Sequence, residues 1–405
     1  MAVAGDPGRE RAWCLYDWGN SAFAAVCMTA VLPPYLAGLV NRELGSPAGT
    51  AMWGWAAAAG LLAGALLGPP LGAWADGRAA RRRLLAVFAL GGAAATAGLA
   101  VALPGSWRLA AVLYVVAATG FTGANVFYDA LLPGLGPPQR WDAISSRGYA
   151  WGYAGGGLVL AGAAALVLTS GEAGVRLSFV VVALWWAGFT IPVVTRVGEP
   201  APVGGGGSWA RLRRTLGEAR RRPELWRFLL AYWVYNDGIG TMIKMSAAYG
   251  AEIGVPLKHM LGALLVTQLV GVPATIAFGR LGTRVGPRRG IELALAGYLL
   301  VACLGFFMRH AWQFWVLAAM VGLVQGGAQA LSRSLYARLV PAGREAEFFS
   351  FFDVSGRMAG VAGPALFSLV AIVTGSGRGG IVAVAIFFVV GALLLRGVRV
   401  SPDSN

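Results

Sequence analysis

The chain has 405 residues, 57% of them hydrophobic and only 13% charged, with a mean hydropathy of +0.64. These values exclude a soluble globular domain and indicate a polytopic membrane protein. The net charge of +15 would suggest a polyanionic partner in a soluble chain, but the basic residues sit in short loops between apolar stretches, so no nucleic-acid partner is expected.

The apolar stretches fall at 13–40, 51–75, 84–103, 108–132, 147–170, 177–195, 226–249, 259–280, 290–308, 312–338, 346–373 and 379–396. Each is long enough to cross about 30 Å of hydrocarbon as a helix, so twelve spans are predicted. The loops on the side of the termini hold 24 basic residues and the opposite loops six, while Lys244, Arg333 and Arg357 lie inside spans. By the positive-inside rule both termini are expected to be cytoplasmic, and the expected location is the plasma (inner) membrane. Trp53, Trp55, Trp107, Trp312 and Trp315 fall at outer span ends and Trp13, Trp141, Trp209 and Trp226 at inner ends, as interfacial anchors do. The first stretch has no early cleavage pattern and reads as its own insertion signal. Cys14, Cys27 and Cys303 all sit within spans, so a disulfide framework is not expected.

Composition changes once, at the centre. A Gly204–Ser208 linker is followed by Trp209, Leu212, Leu216 and Ala219 at helical spacing with arginines between them. The division is therefore 1–197 as a first six-helix bundle, 198–224 as a cytoplasmic linker with a short interfacial helix, and 225–405 as a second six-helix bundle. Internal repetition supports two pseudo-symmetric halves. The charged loop at 72–83 returns 207 residues later at 279–289, and an offset of 204 pairs Gly123 with Gly327, Asn125 with Gln329 and Asp129 with Arg333.

The loop Gly72-x-x-x-Asp76 with its trailing arginines resembles the signature of the major facilitator superfamily. Within that superfamily the segments 13–23 (with Tyr16-Asp17-Trp18-Gly19-Asn20), 124–133, 322–334 and 347–356 resemble the vacuole effluxer family, whose members include autophagy-related permeases and bacterial relatives. The resemblance implies an all-α membrane protein of twelve helices in two six-helix bundles around a central cavity lined by spans one, four, seven and ten. It also marks two departures. Ala80 stands where the superfamily loop has a basic residue, and Thr283 replaces the acid in the second loop, which puts strict symmetry of the inner latch in doubt.

The candidate site follows from ionisable residues inside spans, which cost about 2.5–3.5 kcal/mol each on the insertion scale and are retained where they face a cavity or a partner. Asp17 and Asn20 share a face of span one, Asn125 and Asp129 of span four, and Gln325, Gln329 and Arg333 form a row at intervals of four in span ten. Asp237 and Arg357 lie deeper, about 16 Å along their helices, and form the central pair. Tyr235, Asn236, Thr241 and Lys244 complete the substrate or proton site, and the run 236–240 is expected to loosen span seven. Asp76, Arg81, Arg82, Arg284 and Asp353 read as gate residues. The plainer readings stay open: Asp353 and Arg357 as a structural pair four residues apart, Asp17 and Asp129 as helix fasteners, and Lys244 as a snorkelling side chain. Gly60, Gly64, Gly68 and Gly72 form a packing ridge.

With only two histidines, no clustered cysteines and no phosphate-cradling Gly-Lys-Ser/Thr loop, no cofactor, metal or enzymatic activity is expected. The expectation is a monomeric secondary transporter working by alternating access on a small zwitterionic or amphipathic solute, including amino-acid efflux, with protons as coupling ion. Two alternatives stand beside it. One is a lipid or lysolipid transporter using Tyr153, Tyr232 and Phe121 as an apolar path, and the other a membrane sensor without flux.

Overall fold

The computed structural model describes residues 6–45, 48–102, 105–199, 217–218, 221–252, 255–358, 362–374 and 377–399, and among these every regular element is helical. The expected interfacial helix around 209–219 lies almost entirely outside the described residues.

Helix α1 (Pro7–Ala22) starts with proline at its first turn, and Asp6 caps it by accepting from the Gly8 amide at 2.8 Å. The stretch Phe23–Ala30 is π-helical and joins α2 (Leu32–Leu44) across a 41° bend. Span one is therefore bent: the Val31 amide closes the last π turn on the Val26 carbonyl at 2.8 Å, and a π segment is a recognised cause of a kink. Then come α3 (Ala48–Arg78), α4 (Arg81–Gly98), α5 (Trp107–Asp129) and the long α6 (Trp141–Arg196). The last of these folds back at Gly171, whose φ of 54° and ψ of −128° only glycine adopts freely, so spans five and six are its two legs.

The remaining helices are α7 (Pro223–Glu252), α8 (Leu257–Val285), α9 (Pro287–Phe306), α10 (Ala311–Leu339), α11 (Glu345–Met358), α12 (Ala362–Thr374) and α13 (Gly377–Arg396). One sequence expectation is corrected here. Span seven runs unbroken through Asn236–Gly240, inside α7. Gly238 is closely packed, since a Cβ there would stand 2.9 Å from Phe387 Cβ, and the helix keeps its course through the run.

Eight described helices are long and apolar enough to cross a membrane, or nine if α1 and α2 form one bent span, with α6 counted once. Their outward faces keep large apolar side chains such as Leu168 and Trp55 more than 70% exposed, which suits hydrocarbon and not water.

Contacts group the chain into two compact units that are not the two chain halves. Unit 1 holds Met1–Gly136, Trp151–Trp209 and Ala342–Ser350, and unit 2 holds Pro137–Ala150, Ala210–Pro341 and Phe351–Asn405. In unit 1, α5 packs on α3 and α4, and in unit 2, α10 packs on α8 and α9, so the internal repeat reproduces one neighbour pattern twice. The first turns of α6 belong to unit 2, and the first turns of α11 belong to unit 1.

Small residues set the helix spacing. A Cβ added at Gly120 of α5 would stand 2.6 Å from the Cα of Gly92 and from the Phe88 carbonyl oxygen of α4. Both obstacles are backbone, so the helices themselves would have to part. Gly120→Val is expected to destabilise by about 1–3 kcal/mol or more and to cut the yield of monodisperse protein. Gly91→Val, at a position with open space around it, should leave both unchanged, as read by thermal melting and size-exclusion profiles.

Candidate functional site

Three polar clusters are built inside the units. The first joins spans one and four of unit 1. Asp17 of α1 accepts from the Tyr128 hydroxyl at 2.8 Å, and one turn along, the Asn20 amide donates to Asn125 Oδ1 at 2.8 Å. Trp13, another turn back, stacks on Tyr128 at 4.4 Å and donates its indole N–H to the Tyr128 carbonyl at 3.0 Å. The helical period thus places three α1 side chains on one strip of α5. Asp17 and Asn20 are buried, and Asn125 and Asp129 are half-buried.

The second cluster surrounds α7 in unit 2, where three consecutive residues reach three different helices. The Tyr235 hydroxyl is 2.6 Å from Ser332 Oγ of α10, and the Asn236 amide donates to the Gly356 carbonyl of α11 at 3.0 Å. Asp237 accepts from the Gly363 amide of α12 at 2.9 Å. Asp237 and Thr241 are buried side by side against Gly363, where a Cβ would collide with both side chains. Gln325, Gln329 and Asp353 are half-buried on α10 and α11, and the side chains of Lys244 and Arg357 lie outside the described residues.

The third comprises two charge knots, each tying the start of one helix. In unit 1, Asp76 at the end of α3 accepts from the amides of Ala346 at 3.2 Å and Glu347 at 2.9 Å, the first turn of α11. Arg81 donates from Nε to Asp76 at 2.7 Å, from one terminal nitrogen to Glu345 at 2.5 Å and from the other to the Ala130 carbonyl at 3.1 Å. The three charged side chains are almost wholly buried. Gly72 permits the approach, since a Cβ there would stand 2.5 Å from the Ala346 carbonyl oxygen. Arg82 serves a different end: it pairs with Glu199, whose carboxylate also accepts the Arg81 and Arg82 amides at 3.2 and 2.7 Å and so caps α4.

In unit 2 the corresponding knot has another composition. Thr283, at the place of the loop acid, only bonds its own helix at the Arg280 carbonyl, and Arg284 is exposed. The acid comes instead from Asp142 in the first turn of α6, bound through both oxygens by Arg338 of α10 at 2.9 and 3.0 Å and by the Ser334 hydroxyl. Arg338 also reaches the Pro138 carbonyl at 2.8 Å. Arg333 lies buried one turn away, donating to Ser145 Oγ at 2.8 Å and to the Ser145 carbonyl at 2.9 Å, with its guanidinium 4.3 Å from the centre of the Tyr149 ring. Gly279 and Gly282 of α8 leave room for this helix start, because a Cβ would stand 2.6 Å from Ser146 Cβ and 3.3 Å from Asp142 Cβ respectively.

The structure thus separates residues that the sequence had grouped. Arg333 fastens the start of α6 and does not continue the half-open row of Gln325 and Gln329. The aromatic residues read as an apolar path are taken up in packing: Tyr232 stacks on Phe352 at 4.1 Å, Phe121 tilts against Phe23 at 5.4 Å, and Tyr153 is buried. Asp142, Arg338, Glu345 and Glu347 escaped sequence reasoning because acids in a first turn and arginines in a last turn are ordinary helix-end residues. The offset of 204 was the usable signal, since it aligns the first turns of α6 and α11, each of which carries an acid.

Residues 55–403 match the sequence profile of a family described as vacuole effluxer Atg22-like. An uncharacterized MFS-type transporter of Bacillus subtilis (strain 168), YxiO, is 37% identical over 403 residues, covering 96% of this chain and 94% of that protein. Autophagy-related protein 22 of Yarrowia lipolytica is 31% identical over 276 residues, covering 56% of this chain and 45% of the fungal protein, so the match spans about half of that longer relative. Among solved structures, the human organic anion transporter MFSD10 superposes with a TM-score of 0.68 at 17% identity, covering 96% of this chain and all of that one. A bacterial homologue of the iron transporter ferroportin gives 0.70 at 16% identity over 96% and 98% of the two chains. The transporter FucP gives 0.69 at 15% over 97% and 99%.

Removing either partner of a buried ion pair strands a charge and typically costs about 3–5 kcal/mol. Asp142→Ala and Asp76→Ala are each expected to lower the melting temperature of purified protein sharply, while Thr283→Ala should shift it by no more than a degree or so, being a surface change worth about 0.5 kcal/mol at most. Equal effects of Thr283→Ala and Asp142→Ala would refute the reassignment of the second knot's acid.

Proposed function

The chain belongs to the vacuole effluxer family of the major facilitator superfamily, and on that footing we propose that this membrane transporter exports a small zwitterionic solute, such as an amino acid, by alternating access coupled to protons. The observation that carries the proposal is Asp237, a carboxylate buried in the middle of α7 that accepts a hydrogen bond from the Gly363 amide of α12. A buried carboxylate in a transporter span is a functional site by default, because its charge is too costly to keep for packing alone. Protonation would remove the negative charge and weaken the hold on Gly363, which gives a proton a direct mechanical consequence for the packing of α12 on α7.

Each unit offers groups suited to a zwitterion. Asn125 and Asp129 on α5 of unit 1, and Gln325 and Gln329 on α10 of unit 2, are half-open polar side chains on the spans that the family resemblance assigns to the cavity. Asp237 or Asp129 would attract an ammonium group, and Arg357 would attract a carboxylate. Within unit 1 the polar pairs Asp17–Tyr128 and Asn20–Asn125 hold α1 and α5 in register. The two knots at the starts of α6 and α11 act as latches, opened and closed once per cycle as buried charges exchange partners for water. The arginine distribution supports cytoplasmic termini. On this reading the transporter works as a monomer in the plasma membrane.

The test is gradient-driven uptake of radiolabelled amino acids into everted vesicles under an imposed pH difference. Asp237→Asn keeps the shape and a hydrogen-bond acceptor but cannot bind and release a proton. It is expected to abolish accumulation driven by the pH difference, by about tenfold or more, while solute exchange without a gradient persists. Unchanged gradient-driven accumulation in the variant would overturn the coupling role.

A further inference from the structure

The outward face of unit 1 carries a groove of about 520 Å³ between α1 and the second leg of α6, lined by Leu15, Val181, Leu184, Trp185, Gly188, Phe189 and Pro192. Its floor is fixed. Trp185 donates its indole N–H to the Trp18 carbonyl at 3.2 Å, stacks on Trp18 at 6.0 Å and meets Phe189 edge-on at 4.9 Å. Gly19 lets α1 come close, since a Cβ there would stand 2.6 Å from Phe189 Cβ. Nothing lies within 4 Å of the place a Gly188 side chain would occupy, so the middle of the groove is open.

Length and charge identify the occupant. From Val181 to Pro192 the groove follows α6 for about 16 Å, close to half the hydrocarbon core of about 30 Å and hence to one leaflet. The two helices run antiparallel, as the pairings of Trp18 with Trp185 and of Arg9 with Gly198 establish. Arg11, one turn before Leu15, and Arg196, one turn after Pro192, therefore bracket the same end of the groove. Both are exposed, and neither forms an ion pair among the described residues. The acids at that end are engaged elsewhere: Asp6 with Arg9, Glu199 with Arg82, while Glu10 is buried. An apolar groove one leaflet long that ends at two guanidinium groups with no ion pair among the described residues matches an acyl chain with an anionic phosphate headgroup.

We propose that this groove holds one acyl chain of an anionic glycerophospholipid, its phosphate between Arg11 and Arg196, as a resident lipid and not as transported cargo. The lining contains none of the residues of the polar clusters and its apolar side chains Val181 and Leu184 are exposed, so the site stands independently of the proton-coupling proposal.

The experiment adds phosphatidylglycerol or phosphatidylcholine to delipidated, detergent-purified protein and counts retained lipid by native mass spectrometry, with melting temperature as a second readout. Wild type is expected to retain phosphatidylglycerol about fivefold better than phosphatidylcholine and to melt higher in its presence. Gly188→Leu fills the groove, and should lose that retention without a change in melting temperature in lipid-free detergent. Gly162→Leu, an equally open position on the first leg of α6, should behave as wild type. The double variant Arg11→Gln with Arg196→Gln touches no packed atoms and should reduce phosphatidylglycerol to the phosphatidylcholine level, which keeps the test decisive if the leucine variant misfolds. Equal retention of both lipids by wild type, or undiminished phosphatidylglycerol on the arginine double variant, overturns the proposal.

Discussion

A carboxylate that accepts backbone amides from another span is the interaction on which this molecule turns, and span eleven is held in that way twice. Asp76 of α3 accepts from the first amides of α11, and Asp237 of α7 accepts from the Gly363 amide of α12. A helix start leaves up to four amides without partners, and α11 meets that need with an acid from α3. Borrowing an acid from another span satisfies an amide, but it makes the position of span eleven depend on charges that lie elsewhere in the chain.

The charge knots are poor stabilisers in the ordinary sense. Burying Asp76, Arg81 and Glu345 removes three charges from water, and the desolvation penalty consumes most of the Coulombic gain. What such a knot supplies is definition, since the geometry that satisfies all three groups together is narrow and any partial opening is costly. The same holds for Asp142 between Arg338 and Ser334. The two knots reach this end by different routes: in unit 1 the acid sits on the repeated loop and binds amides, whereas in unit 2 it sits on the helix start and binds a guanidinium. Duplication preserved the docking of a helix start and the glycines that admit it, Gly72 in one copy and Gly279 with Gly282 in the other, but not the identity of the acid.

Much of this was legible in the residues. Hydropathy located the spans, the repeated loop disclosed the duplication, and charges inside spans pointed to Asp17, Asp129 and Asp237, because an acid in an apolar stretch has few innocent explanations. Asp142, Glu345 and Arg338 stayed hidden for the opposite reason: at helix ends a charge is ordinary, and only its burial sets it apart. Backbone detail was least visible. Asn236–Gly240 contains two glycines and looked like the weak point of span seven, yet Tyr235, Asn236 and Asp237 each bond a neighbouring helix and keep it straight. The bend at Val31 depends on a hydrogen-bond pattern several residues long, which composition does not encode. The glycine ridge of α3 was readable as a packing surface, but not that Gly60 and Gly64 would face α5 while Gly68 and Gly72 face the start of α11.

Hydrogen exchange read by mass spectrometry on peptides covering 345–350 and 362–367 tests the central claim most directly, because it reports the protection of the very amides the two acids hold. The account expects Asp76→Asn to speed exchange in the first peptide alone and Asp237→Asn in the second alone. Unchanged protection in both variants, or a loss spread evenly over the whole protein, would contradict it.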